Sequence, residues 1–580
     1  MFSLRGRKSR PHVRNTRRPS ARPLLEALEG RWAPAVLAVT TAADSGPGSL
    51  RQALLDANAA PGLDTINFAI GSGAQTIMLS SPLPPVTDPV VLDGTTQPGW
   101  AGLPLVTLDG HAAGATDGLD LVAGTSAVRA LTVTGFAGCG IAAFSTGVAI
   151  QGNFLVDNGL DGVALTTLTG DFARGPGSGI GGNLLSGNGR FGAYVYGNSN
   201  CTIQSNRIGT NADGTAALPN ALDGVVVTGP GEVRNNTVAL NLISGNGRCG
   251  ALFILAGDSQ VVGNDIGTNA AGTAALPNGS HGVYVFGTGG SDVMVGGAAA
   301  GQGNLISGNG GYGVLFLGLE NNDLEGNKIG TDGAGTAALP NATAGVGVTD
   351  SDDLIGGAGA GEGNLIAGNH GPGVLLAGLA VGTLVQGNTI GGALGNSGDG
   401  VLVAVANGSS VGGTAPGAGN VIAGNGRDGV RVLSGTGNGI QGNSIHDNAG
   451  LGIDLGGNGV TPNDSAGHVG PNNYQNFPVL TAVAAGTGGG TDVSFTLDST
   501  PSTAFRVEFF ANAAADPSGF GEGQTFLGFA TATTDAGGHA AATAHVAGTV
   551  GAGQTVTATA TGLDGTSEFS ADFTPAGQPA

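Results

Sequence analysis

Short apolar runs of three to six residues, rich in valine, leucine and isoleucine, recur along most of the chain between breaks of glycine and asparagine. Beyond about residue 90 no stretch with a helix period intervenes, so the pattern predicts brief strands joined by turns. The start differs. Leu37 to Thr41 reads as a strand, and Ser49 then opens a short helix in which Leu50, Ala53, Leu54 and Ala57 share one face. Ser49 and Gln52 have capping-box spacing, and Pro61-Gly62 ends the element. A helix laid across the open end of a stacked sheet shields an edge that otherwise invites aggregation. Thr65 to Ala69, Thr76 to Leu79 and Val90 to Leu92 read as the first strands after it.

The breaks repeat. One asparagine series opens Gly-Asn-Leu-Leu-Ser-Gly-Asn and its relatives, at Asn183, Asn241, Asn304, Asn364 and Asn420; a second, mostly Gly-Asn-x-Ile, supplies Asn206, Asn264, Asn327, Asn388 and Asn443. Interleaved, they step by 23, 35, 23, 40, 23, 37, 24, 32 and 23 residues. A basic coil of 23 residues therefore alternates with a coil that carries an insertion. Three insertions contain Gly-Thr-Ala-Ala-Leu-Pro-Asn, from Gly214, Gly272 and Gly335, and most coils contain a glycine before an apolar run, as at Gly224, Gly282, Gly313, Gly400 and Gly429. Three brief strands and three turns fill 23 residues. A propeller blade needs roughly 40 residues and four longer strands, which the 60-residue double unit allows and the 23-residue sub-period opposes. Stacked coils give a parallel β-helix, about thirteen coils and roughly 60 Å long at one strand spacing per coil. Asn206, Asn264, Asn327, Asn388 and Asn443 are expected to form an inward ladder, each amide satisfying turn backbone above and below.

These features resemble the right-handed parallel β-helix superfamily, the fold of pectate lyases and many adhesins. The chain is especially similar to a bacterial extracellular group with Asp-Ser-Gly-Pro-Gly-Ser-Leu-Arg-Gln-Ala near its start, here Asp44 to Ala53, with Gly-Asn-x-Ile-Gly-Thr coils and with an Asn-Phe-Pro-Val-Leu junction, here Asn476 to Leu480. The resemblance spans roughly residues 37–577 and implies architecture; it brings no agreed activity. After Asn472 the pattern changes. Val493 to Leu497, Phe505 to Phe510, Thr525 to Ala532, Ala540 to Val546 and Gln554 to Thr561 alternate as antiparallel strands do, which suits an Ig-like sandwich. The expected fold class is all-β: a right-handed parallel β-helix solenoid with an N-terminal capping helix and a C-terminal β-sandwich. The expected domains are a basic export-type arm (1–36), a cap (37–89), the β-helix (90–457), a linker (458–473) and the sandwich (474–577).

Composition sharpens this picture. The 114 glycines are about three times the ordinary ~7% share, and without a Gly-X-Y period they exclude collagen. Residues 1–31 hold nine Arg or Lys against two Glu, whereas the rest holds 11 basic and 39 acidic residues, a net charge of −28. Such a body repels nucleic acid and anionic polymers. The arm lacks an ordinary secretory apolar stretch, since Ala33 to Val39 is short and interrupted by Pro34. It resembles the Arg-rich arm ending in Leu-Glu-x-Leu-Glu-x-Arg found on bacterial surface proteins, here within Leu25 to Arg31, and that resemblance implies export. No run reaches the roughly 18 apolar residues that span a bilayer, so a secreted or cell-surface protein without a transmembrane segment is expected. Cys139, Cys201 and Cys249 form no metal-ligand pattern and read as small buried hydrophobes.

Chemistry is sparse. No catalytic residue and no cofactor-binding motif is expected. Lys328 is the only lysine beyond the arm, yet the same coil position holds Arg207, Asp265, Thr389 and Ser444, which reads as a solvated column. Histidines 111, 281, 370, 446, 468, 539 and 545 have no metal-site spacing. The tyrosines Tyr194, Tyr196, Tyr284 and Tyr312 lie in apolar strand runs and are taken as having little to spare for sugar stacking. Asp292, Asp323 and Asp353, with Asp352 beside the last, recur about one coil apart and are candidate Ca²⁺ ligands; no cofactor is required, and Ca²⁺ is the one considered. The expected function is a structural or adhesive surface protein with surface glycans or other surface proteins as partners and no nucleic acid. The alternative is a carbohydrate-active enzyme, a polysaccharide lyase or epimerase.

Overall fold

The computed structural model describes residues 34–167, 177–287, 292–318, 320–349, 351–378, 380–464 and 469–575. All but the last three residues of the expected arm, and His468, lie outside them. Three parallel sheets run through the repeat region, with fifteen, fourteen and thirteen strands among the described residues. Successive strands of the chain fall in the first, second and third sheet in turn, and each pairs with its counterparts one coil before and one coil after. Thr202–Gln204, for instance, lies between Gly179–Gly181 and Thr237–Ala239 in the first sheet. This is the parallel β-helix that the 23-residue period predicts.

Stacking begins at the N-terminal end. Val36–Val39 pairs with Asp64–Phe68, which pairs with Val90–Asp93. Between the first two runs the helix Leu50–Ala59, buries Leu50, Ala53, Leu54 and Ala57. The Ser49 hydroxyl accepts from the Gln52 N–H at 3.2 Å, but the Gln52 side chain turns to Asp56 instead of reaching back, so only half of the capping box forms.

Inside, like residues stack on like. The second sheet points Ile208, Ile243, Ile266, Ile306, Ile329, Ile366, Ile390 and Ile422 inward, all fully buried. The third sheet contributes two inward residues per coil, such as Val283 and Val285 above Ala251 and Phe253. The glycine that precedes each of these strands marks a close approach of coils. A Cβ on Gly224 would lie 2.6 Å from the Gly250 carbonyl oxygen and 2.6 Å from the Ile243 methyl.

Each coil turns three corners, and each corner carries an inward polar column. At the first corner the two asparagine series merge into one ladder. Asn183 Nδ2 donates to Asn206 Oδ1, Asn206 to Asn241, Asn241 to Asn264 and Asn264 to Asn304, each near 2.9–3.0 Å, and the run continues to Asn443. Asn206, Asn264, Asn327, Asn388 and Asn443 are alternate rungs of it. A second ladder stands at the corner before the third sheet: Asn188, Asn220, Asn246, Asn278, Asn309, Asn341 and on to Asn448. Asn220, Asn278 and Asn341, the last residues of the Thr-Ala-Ala-Leu-Pro-Asn segments, are therefore buried rungs of the coil and not part of the projecting loops. The third corner is mixed, with Ser259, Asn322, Asp353, Ser409 and Asn438 among its members.

The insertions themselves stack. Each folds back on a single antiparallel bridge, Thr210 to Ala217, Thr268 to Ala275 and Thr331 to Ala338. The Ala270 N–H donates to Gly214 O at 2.9 Å and the Gly333 N–H to Gly272 O at 2.8 Å, which makes a ridge with one loop every two coils.

The C-terminal segment forms two antiparallel sheets, one of Val479–Ala485, Thr491–Asp498 and His539–Val546, the other of Ala504–Asn512, Thr525–Thr533, Thr555–Gly562 and Gly565–Thr566. Val493, Phe495, Phe505, Val507, Phe509 and Val556 are buried within it. Its residues also close the last coil. Glu508 accepts from Gly442 N, Glu522 from Asn448 Nδ2 and Glu568 from Leu455 N, while Thr566 O accepts from Asn472 Nδ2. An open sheet end is thereby supplied with acceptors for donors that would otherwise be buried unpaired.

Candidate functional site: the outer face of the third sheet

Alternation along a strand sends every second residue outward, and on the third sheet those residues are aromatic, aliphatic or charged. In one coil they are Tyr194 and Tyr196, and three coils on they are Tyr284 and Phe286; Val226, Leu252 and Ile254 lie between. Three strand spacings separate the two ring groups by roughly 14 Å. The turn just before each strand adds Phe191 to the first group and His281 to the second, with Tyr312 one coil further. Ring centroids are 5.3 Å apart for Phe191 and Tyr194, 5.8 Å for Tyr194 and Tyr196, 5.2 Å for His281 and Tyr284, and 5.9 Å for Tyr284 and Phe286. Phe286 is 41% exposed and the others are half-buried. The tyrosines expected to be absorbed in the strands thus face outward, because the inward places of the same strands are taken by Ala193, Val195, Val283 and Val285.

Charge frames the rings. The Arg190 guanidinium lies 5.0 Å from the centroids of both Phe191 and Tyr194 and is held by a two-point pair to the fully buried Asp161. Asp161 also accepts from the Phe191 N–H. Asp223 repeats the device two coils from Asp161: it accepts from Cys249 N at 2.8 Å and stands 3.8 Å from Arg248 Nε. His281 takes the same turn position, where its Nδ1 lies 3.1 Å from the Tyr312 nitrogen. Burial pushes the His281 pKa down, so the ring is neutral, with Nδ1 accepting and the proton on Nε2. Asp161, Asp223 and His281 are therefore committed to the turns and are not free bases.

Another acid on this face is differently placed. Asp120 shares the outward column with Tyr194, three coils toward the N-terminal end. Burial, and after it the charge of Asp117, raises its pKa to about 6. A carboxyl poised there can take or give a proton near neutral pH.

The candidate calcium ligands are spread over different sites. Asp353 is a rung of the third-corner column and accepts from the backbone and side-chain nitrogens of Asn322 at 2.7 and 2.9 Å. Asp352 is exposed, with a left-handed φ of 60°. Asp323 points outward from the first sheet, where burial and then the charge of nearby Asp292 raise its pKa. Among the described residues no three His, Cys, Asp or Glu are grouped so as to hold a metal ion. Cys139, Cys201 and Cys249 are buried and unbridged. Lys328 does share its outward column on the second sheet with Arg207 and Asp265, and it is half-buried there. No helix among the described residues is long and apolar enough to cross a membrane.

The ring clusters could have been found by asking which residues of each apolar run are β-branched and which are aromatic. Tyr194-Val195-Tyr196 and Tyr284-Val285-Phe286 have the period of a strand with two dissimilar faces.

A family model described as the right handed beta helix region matches residues 117–296 and 173–353. No curated protein matches the chain. Among solved structures the chain is similar to the A-module of a mannuronan C-5 epimerase from Azotobacter vinelandii, at 17% identity and a TM-score of 0.35, over 74% of this chain and 100% of that one. It is similar to a tailspike protein of the E. coli bacteriophage HK620 in complex with a pentasaccharide, at 11% identity and a TM-score of 0.38, over 90% and 92%. A tailspike of the Acinetobacter baumannii bacteriophage Fri1, a capsular polysaccharide depolymerase, follows at 9% identity and a TM-score of 0.29, over 77% and 78%. The expectation of a structural or adhesive protein is corrected by these findings. The proteins are named as a mannuronan epimerase, a tailspike in complex with a pentasaccharide and a capsular polysaccharide depolymerase, and none is named as an adhesin. The stacked strands and the family match together make a right-handed β-helix the conclusion for residues 117–353.

Proposed function

We propose that the protein is a carbohydrate-active enzyme that takes a polysaccharide strand along the outer face of the third sheet. The observation that carries this reading is the row of outward rings, with Arg190 stacked on two of them. Tyrosine rings offer an apolar face to the C–H side of a sugar and a hydroxyl to its rim. Two half-exposed ring groups on one face, separated by the buried Val226 and Leu252 and edged by charge, support the reading of a binding surface. Within the lyase or epimerase class, Asp120 with its partner Asp117 serves as the proton-abstracting base, and Arg190 and Arg248 are the cations beside the rings. Three further elements belong to the same reading: bacterial origin and export to the surface, supported by the motif of the basic arm; surface glycans as the partner; and an Ig-like identity for the C-terminal sheets, supported by their strand pattern.

The test is a panel of acidic and neutral polysaccharides, followed for unsaturated products by ultraviolet absorbance, for inversion at sugar carbons by NMR and for new reducing ends. Turnover is expected on at least one polymer, with a rate that rises with pH through about 6 as Asp120 loses its proton and that loses this limb in Asp120→Asn. Tyr194→Ala and Tyr284→Ala are expected to weaken retention of that polymer about tenfold each. Retention unchanged in both tyrosine variants would overturn the assignment of the face.

A further inference from the structure

The second sheet has an outer face of its own, and it is built differently. Its outward column reads Arg207, Leu242, Asp265, Leu305, Lys328 and Leu365, a charged residue on every second coil with a leucine between. Leu242 and Leu305 are buried because glycines of the insertion ridge close over them; a Cβ on Gly214 would lie 2.5 Å from Leu242 and one on Gly272 2.9 Å from Leu305. On the opposite side of the column, the turn of residues 297–303 rises as a second wall, and the residue 357–363 turn stacks on it, with Gly361 against the Ala298 carbonyl.

Between these walls lies a cavity of about 400 Å³. Its floor is Asp265, Leu305 and Lys328, and its sides are almost entirely glycine and alanine, Gly297 to Gly301 on one wall and Gly333 on the other. Walls without side chains present bare backbone amides and carbonyls. The two charged residues do not pair with each other. Lys328 Nζ reaches across to the Gly333 carbonyl. The Asp265 carboxyl has no hydrogen-bond partner among the described residues, and its burial between two leucines raises its pKa. Lys328 is the only lysine outside the arm, in a body with 39 acids against 11 bases. A carboxyl without a partner among the described residues and an ammonium bonded to a backbone carbonyl are thus held about two strand spacings, roughly 10 Å, apart at the backbone, across an apolar rung and between walls of bare backbone.

We infer that this cavity is a second saccharide site, distinct from the third-sheet face, which takes one sugar unit bearing a carboxylate. The acidic group meets the Lys328 ammonium, ring hydroxyls donate to Asp265 and to the carbonyls of the glycine wall, and the ring's C–H face lies on Leu305. A charge-assisted contact at Lys328 gives the preference for an acidic over a neutral sugar. The inference rests on the reading of the body as carbohydrate-active, but on different residues.

The experiment is ligand-observed NMR titration of the full chain with D-galacturonate, D-glucuronate, D-glucose and acetate. At least one uronate is expected to bind, with glucose and acetate each at least about tenfold weaker. Lys328→Gln is expected to bring the uronate down to the level of glucose, and Asp265→Asn to weaken both sugars, with thermal unfolding of both variants as in the wild type. Thr389→Ala, in the same outward column but outside the cavity, serves as the control and leaves monosaccharide binding unchanged. Equal affinity for uronate and glucose, no uronate binding by the wild type, or full binding by Lys328→Gln would each overturn the site. Loss of binding in Thr389→Ala as large as in Lys328→Gln would overturn the assignment to the cavity. Polymer retention that fails while uronate binding persists would instead overturn the third-sheet reading alone.

Discussion

The first and third corners of the coil face the same requirement and meet it with different residues. Every turn leaves backbone N–H and C=O groups inside that the sheets do not use. At the first corner an asparagine fills every coil from Asn153 to Asn443, each one both donating to and accepting from its neighbours. At the third corner Ser259, Asn322, Asp353 and Asn438 share the task, each accepting a backbone N–H from the coil before. The first-corner asparagine always stands immediately before a second-sheet strand, even where the turn ahead of it lengthens, as at residues 297–304, 357–364 and 413–420, so one residue type satisfies it throughout. The third corner joins strands through connections of varying length, and each coil finds its own acceptor. Repetition of a residue measures how constant the geometry is.

The comparison makes its largest prediction at the first corner. Asn264→Ala removes an acceptor for Asn241 N and Nδ2 and a donor to Val238 O and Asn304 Oδ1. A loss of about 3 kcal/mol is expected in denaturant unfolding, since several buried partners are left unpaired. A near-neutral result would mean that water enters the ladder. The next effect lies where the stack ends. Glu568 is 3% exposed and accepts from Leu455 and Thr461 N–H groups, and burial raises its pKa from the ordinary 4.5 to about 7. Between those values the folded chain keeps a proton that the unfolded chain has released, so this group's contribution to stability falls as pH rises from about 4.5 to 7. Glu568→Gln is expected to flatten a dependence of order 2 kcal/mol across that window; an unchanged pH profile of unfolding would assign the dependence elsewhere. At the third corner Ser259→Ala frees only the Asn236 N–H and the Gly257 carbonyl, and about 1 kcal/mol is expected. A cost equal to that of Asn264→Ala would erase the distinction between the corners. The smallest effect belongs to the insertion. Deleting residues 269–277 with Thr268→Gly leaves Ile266-Gly-Gly-Asn278, the length of the uninserted Ile243-Ser244-Gly245-Asn246 turn. The rung at Asn278 is kept, so the fold should persist with a change of under about 1 kcal/mol. Global unfolding would show that the ridge holds the coil together.

The same contrast explains what could be read from the chain. The first ladder announced itself because each of its asparagines keeps the same place just ahead of an aliphatic strand, however long the coil between them. The second ladder was hidden in plain view. Asn153 and Asn158, Asn241 and Asn246, and Asn304 and Asn309 are each five residues apart, but Asn220, Asn278 and Asn341 are separated from their first-corner partners by the insertions. Their place at the end of a conspicuous loop motif made them look like loop residues. The capping helix was legible residue by residue, down to the four that it buries. The outer faces were not. A β-helix fixes its interior by repetition and leaves its exterior free to change, so Tyr194, Asp120 and Lys328 do not recur from coil to coil, and only the alternation within its own strand marks Tyr194 as outward. The second-sheet cavity depends on loops 297–303 and 331–336 meeting over one column, a pairing set by folding and not by distance along the chain.

The side-chain amides of the first two ladders all point the same way. Each oxygen faces the N-terminal end of the stack and one N–H of each amide the C-terminal end, the other donating back to a strand carbonyl of the preceding coil, from Leu131 N donating into Asn153 Oδ1 to Asn448 Nδ2 donating out of the last coil. Twenty or so parallel amide dipoles lined up along one axis behave like the peptide dipoles of a long helix, with partial positive charge gathered at the end where the donors emerge. Glu522 and Glu508 sit at that end, one on each ladder's final turn. Their carboxyl oxygens accept the last outgoing donors, so the C-terminal sheets end on acceptors a polarity that the coils accumulate simply by being stacked in register.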